Sequence, residues 1–147
     1  MVTIKKYLLI FLSPLLLVFI TAACSQQGKV KTLTEIETGL TVSWSSKDEN
    51  IKDECKKFQP TREQILSFFN KAQRVEGVVV NEDRYTPCFA TGRLTWRDGT
   101  SAGWSLYSSG TASLSLDNGE TLHLYQRDYH WFDPTECTYG MGDEGEC

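Results

Sequence analysis

From Cys88 to Tyr125 the chain alternates between apolar and polar positions with a period of two. Leu94 and Trp96 alternate with Arg93 and Thr95, and Trp104 and Leu106 with Ser105 and Tyr107. Leu114 and Leu116 alternate with Ser113 and Ser115, and Leu122 and Leu124 with His123 and Tyr125. Arg97-Asp98-Gly99, Ser109-Gly110 and Asn118-Gly119 punctuate these runs, and Asn-Gly is the dipeptide that most favours a two-residue hairpin. The pattern predicts four strands joined by tight turns, an antiparallel meander with one apolar and one polar face.

Upstream the period changes. Thr61-Arg62-Glu63-Gln64 fits a capping box, in which Thr61 and Gln64 satisfy each other's free amides. Ile65, Phe68, Phe69 and Ala72 then recur at the i, i+3, i+4, i+7 spacing of a single buried helix face. This predicts a helix over 61–75 ended before Gly77, with Val78-Val79-Val80 as a short strand and 81–87 as a turn-rich crossing. Leu33 to Trp44 reads as a strand, or a hairpin broken at Gly39, and 45–57 as a polar surface connection. The helix stripe has one natural partner, the leucine and tryptophan face of the meander. Each such side chain contributes roughly 1.5–3 kcal/mol when buried, so that pairing organises the domain. We expect an α+β fold: one N-terminal amphipathic helix packed on a four- or five-stranded antiparallel β-meander, stabilised by disulfides. Segment 128–147 is aromatic at its start and acidic and glycine-rich at its end. It should wrap the sheet, held by Trp131, Phe132 and a disulfide.

The first residues follow another logic. Lys5 and Lys6 precede an apolar stretch of 14 residues from Tyr7 to Ile20, with Pro14 in its middle, and small residues follow. That order is a secretory signal. The stretch is short for a membrane span, which needs about 20 apolar residues. Thr21-Ala22-Ala23-Cys24 resembles the lipobox of bacterial lipoproteins, differing from the usual pattern at Thr21, where leucine is common. The resemblance covers only the first 24 residues. It implies cleavage before Cys24 and acylation of that residue, so that the protein is anchored to a membrane through lipid on Cys24. Ser25 after the cysteine, by similarity to enteric lipoproteins, implies the outer membrane, with the domain facing the periplasm. The expected organisation is a signal peptide at 1–23, an acylated tether at 24–31 and a single domain at 32–147.

Residues 1–23 carry two lysines and no acid, so 13 basic and 19 acidic side chains remain and the formal charge falls from −4 to −6. Dense basic clusters are missing from the sequence, and an acidic exported domain argues against a nucleic-acid partner. The charge suits solubility, or a basic protein partner drawn in electrostatically.

Beyond Cys24 stand Cys55, Cys88, Cys137 and Cys147. An even number in an exported chain points to two disulfides. We expect Cys55–Cys88 and Cys137–Cys147, the second closing a short glycine-rich loop; the main rival pairs Cys88 with Cys137. A zinc site using His123 or His130 is the sharper alternative, but the short Cys-x-x-Cys spacing of structural zinc sites is missing.

Catalytic and cofactor motifs are not evident. Neither histidine lies near a Gly-x-Ser-x-Gly nucleophile motif. The acids Asp133, Glu136, Asp143, Glu144 and Glu146 lack the calcium-loop rhythm, and no glycine-rich phosphate loop opens a helix. The polar sheet face offers a candidate partner-binding surface around Arg93, Tyr107, His123 and Tyr125, because tyrosine supplies contact area at low entropy cost. Tyr107-Ser108-Ser109-Gly110-Thr111 resembles, over those few residues, a Ser-Gly loop of membrane-bound lysozyme inhibitors; no inhibitory role is carried across on it. The expected function is a non-catalytic binding lipoprotein, an inhibitor of a basic hydrolase or an immunity protein against a toxin. The alternative is an envelope-assembly or structural accessory lipoprotein.

Overall fold

The computed structural model describes residues 28–138. The chain enters as β1 (Val30–Thr41), forms α1 (Glu49–Cys55) and α2 (Arg62–Lys71), and adds a short β2 (Gln73–Val75). A π-helical turn (Val79–Asp83) leads into β3 (Cys88–Trp96), β4 (Ser101–Tyr107), β5 (Thr111–Leu116) and β6 (Thr121–Tyr125). All pair antiparallel in one six-stranded sheet of order β1-β3-β4-β5-β6-β2. The α+β class and the meander are as expected. The sheet has six strands rather than four or five, because β1 and β2 add to the meander's two open edges. The amphipathic helix is not N-terminal: β1 and α1 precede it.

The core forms where the patterns predicted. Ile65, Phe68 and Phe69 of α2 are buried against Leu94, Trp96, Trp104, Leu106, Leu114 and Leu124. Thr61 and Gln64 make both halves of the capping box, at 2.7 and 3.2 Å. Phe69 meets Trp104 with ring centroids 5.4 Å apart. Across the strand pair, Gly92 faces Trp104, and a Cβ there would stand 2.5 Å from the indole. The glycine makes room for the ring.

Several elements differ from expectation. The helix stops at Lys71 rather than 75, since Gln73–Val75 pair with Tyr125, Leu124 and His123 and so satisfy the free edge of β6. Val78-Val79-Val80 is helical, not a strand: Val78 precedes a π-helical turn whose Val79 carbonyl accepts from the Arg84 amide, so its backbone is paired locally. Leu33 to Thr41 belongs to one bulged strand rather than a hairpin, and the chain leaves the sheet before Trp44, which lies in a turn. Gly39, at φ +68, lets the strand pass Lys56 and Gln59 closely. The polar connection 45–57 contains α1, capped by Asp48, whose carboxylate accepts from the Asn50 and Ile51 amides. Val30 and Lys31, expected in the tether, already belong to β1; the Val30 amide donates to Asn70 Oδ1 at 3.0 Å.

Cys55 and Cys88 form the expected disulfide, tying the end of α1 to the start of β3 across 33 residues. Both are buried. Cys137 is also disulfide-bonded; its expected partner Cys147 lies outside the described residues, as do the apolar segment 7–20 and Cys24. Among the described residues, no helix is long and apolar enough to cross a membrane.

Candidate interaction surface

The strand register places the polar face in rows. Phe89, Tyr107, Thr111 and Tyr125 form one row, and Thr91, Ser105, Ser113 and His123 the next. Arg93, Gly103, Ser115 and Thr121 form a third row. Arg93, Tyr107, His123 and Tyr125 therefore share a face, as alternation requires, but they do not converge on one site. Arg93 lies in the third row and reaches Asp117 at 3.7 Å, an exposed pair. Such a pair contributes little. Tyr125 lies beneath the Arg84 guanidinium, 4.8 Å from the ring centroid, so part of the face is already covered. Burial pushes the Tyr107 phenol above its ordinary range, partly offset by the Ser113 hydroxyl; burial does the same to Tyr85.

His123 Nδ1 lies 3.1 Å from Ser113 Oγ. A nucleophilic serine needs its imidazole oriented by a third group. Among the described residues no carboxylate bonds to His123, whose Nε2 is the atom a Cβ on Gly77 would approach to 3.2 Å. The pair is a cross-strand hydrogen bond of the sheet, which holds the ring in place. Nor do any three His, Cys, Asp or Glu side chains among the described residues cluster as a metal site. Cys55 and Cys88 are committed to their disulfide.

The Ser-Gly turn between β4 and β5 is not a projecting loop. Ser108, Ser109 and Gly110 are buried, and hydrogen bonds hold them on every side. Ser108 Oγ meets Thr86 Oγ1 at 2.9 Å, its carbonyl accepts from Trp131 Nε1 at 2.8 Å, and the Ser109 hydroxyl donates to the Arg84 carbonyl at 2.6 Å. A loop so covered cannot enter an enzyme cleft.

Among the described residues the exposed large apolar side chains are Trp44, Phe132 and Val78, all outside the strands. β1 begins beside Trp96 and ends beside Cys88, so the entering chain and the Ser-Gly turn lie at opposite ends of the strands. Beyond Thr41, Trp44 is 69 % exposed and stacks on Tyr85, with centroids 5.5 Å apart. Phe132, expected to hold the C-terminal segment down, is instead 61 % exposed. Trp131 does the holding, packed on Phe58 and Phe68. Sequence reasoning missed Trp44 and Phe132 as surface features, because nothing in their local pattern distinguishes an exposed aromatic from a core one.

No family model matches the chain. No curated protein and no solved structure matches it either.

Proposed function

We propose that this chain is a non-catalytic binding lipoprotein of the bacterial envelope. Lipid on Cys24 would hold it at the outer membrane, facing the periplasm, and its far end would engage a protein partner. The observation that carries the reading is the position of its exposed aromatics. Trp44 and Phe132 stand at the end opposite the entering residues 28–30. The length of β3 alone separates the two ends by about 26 Å at roughly 3.3 Å per residue. Aromatic anchors of this kind dominate binding energy in protein interfaces. The short tether supports the geometry, because the six residues from Cys24 to Val30 reach about 20 Å at most. An acidic domain presented this way suits a basic hydrolase or a secreted toxin, whose activity it would block by occlusion.

Two measurements test the reading. Mass spectrometry of the mature protein should find acylated Cys24, and Cys24→Ala should leave an uncleaved precursor; an unmodified N-terminus elsewhere overturns the anchor. The purified full chain should form a stoichiometric complex with a basic hydrolase or toxin and lower its activity, and Trp44→Ser should weaken that complex. Complexes that form only with an envelope-assembly machine, or that ignore Trp44→Ser, overturn the inhibitor reading.

A further inference from the structure

A cleft of about 190 Å³ opens at this same end, between α2 and the segment that follows β6. Its aromatic surface consists of Phe68, Tyr129 and Trp131; the last two are stacked, with centroids 5.1 Å apart and planes 24° from parallel. Glu63 and Asp128 supply exposed carboxylates to its lining, and Gln64 and Gln126 supply amides. Among the described residues neither Lys nor Arg lines it; His130 is the one lining side chain that can carry positive charge. The walls are fixed. Gln64 donates to the His130 carbonyl, Trp131 donates to the Ser108 carbonyl, and Gln126 Nε2 donates to the Asp128 carbonyl.

We infer that this cleft is a socket for a cationic side chain, an arginine or lysine on the surface of a basic partner. Aromatic faces attract cations through the ring quadrupole, contributing most where water is displaced. Arginine also stacks on such rings through its planar guanidinium while its N–H groups reach carboxylates. Glu63 and Asp128 provide those acceptors, and the cleft is of a size to admit one side chain rather than a peptide. Two features oppose a cation: protonated His130 in the lining, and the N-terminal end of α2, which favours anions. Its Gln64 amide is already occupied by the capping box, and Glu63 stands in its first turn. The inference rests on the binding-module reading and names the chemistry its partner must offer.

The test uses N-acetyl-arginine N-methylamide, with the neutral isostere N-acetyl-citrulline N-methylamide as control. The full chain is titrated while the Trp131 indole N–H resonance is followed. The arginine probe should shift that resonance saturably, with millimolar affinity and about tenfold preference over citrulline. Combined Glu63→Gln and Asp128→Asn, both at exposed positions, should reduce the preference, leaving only the share the rings supply, with the fold's other resonances in place. Raising ionic strength from about 0.1 to 1 M should weaken the arginine probe alone. Equal binding of the two probes, or no saturable shift with arginine, overturns the socket. Failure of the socket is distinguishable from failure of the binding-module reading, which is decided by the partner complex and its dependence on Trp44.

Discussion

Gly110 offers a direct test of how the far end is built. It sits in the β4–β5 turn at φ +78, where a Cβ would stand 2.3 Å from Tyr129 Cδ1 and 2.7 Å from the Gln126 carbonyl oxygen. Two effects add in Gly110→Ala. A left-handed conformation costs an L-residue about 1–2 kcal/mol, and overpacking against ring and backbone costs about 1–3 kcal/mol more. Gly119 separates them. It has nearly the same conformation, φ +84, but nothing within 4 Å of its Cβ position. Urea unfolding should therefore show Gly119→Ala destabilised by about 1–2 kcal/mol, and Gly110→Ala by about 2–5 kcal/mol. Adding Tyr129→Ala to each variant completes the cycle: the penalty at Gly110 should shrink and that at Gly119 should not. If Gly110→Ala is no worse than Gly119→Ala, Tyr129 does not pack over the turn and the wall of the cleft is misplaced.

Further expectations follow from single contacts. Gly92→Ala should cost about 1–3 kcal/mol in urea unfolding, because its Cβ must displace the Trp104 ring or the Thr34 carbonyl; a neutral result would refute their close approach. Replacing Cys55 and Cys88 by alanine should lower stability by about 4 kcal/mol on loop entropy for the 33-residue separation, and the native pair should resist reductant until denaturant is added. Burial raises the Tyr107 and Tyr85 phenols. Their contribution to stability is complete below the ordinary tyrosine pKa, about 10, and is lost as pH rises through the higher folded values. Phenolate absorbance should thus show a late-titrating set accompanied by falling stability; if all tyrosines titrate together, that burial is wrong.

How much was legible depended on whether one local period decided the outcome. The meander was, because each of its strands buries every second side chain and glycine-bearing turns mark the ends. The capped start of α2 was too. Its C-terminal limit was not, since the pairing of Gln73–Val75 depends on β6, some fifty positions later. α1 was invisible for a different reason: within its seven residues only Ile51 and Cys55 turn inward. Its cap and the Cys88 disulfide hold it, rather than an apolar stripe. The polar-face residues were correctly placed on one side of the sheet by alternation. The far-end surface was not, because Trp44, Glu63, Asp128, Tyr129, Trp131 and Phe132 come from segments with no shared period.

The far end is also where the chain is most heavily cross-tied, and this bears on binding. The Cys55–Cys88 disulfide, the Thr86–Ser108–Thr135 hydroxyl cluster and the Trp131–Ser108 bond join four separate segments around one buried turn. Arg84 adds a further link by donating to the Ser109 carbonyl at 3.1 Å. Little of this polar network faces water, so each group depends on its neighbours, and removing one leaves its buried partner a bond short. A surface assembled this way has already lost its conformational freedom before any partner arrives. Ordering a flexible side chain on binding costs about 0.5–1.5 kcal/mol, and Tyr129, Trp131 and the stacked Trp44 would avoid much of that. At the opposite end the chain enters through residues 28 and 29, before the first strand. In the proposed arrangement the lipid fixes where the protein is, the tether lets it turn, and the stiff aromatic end does the recognising.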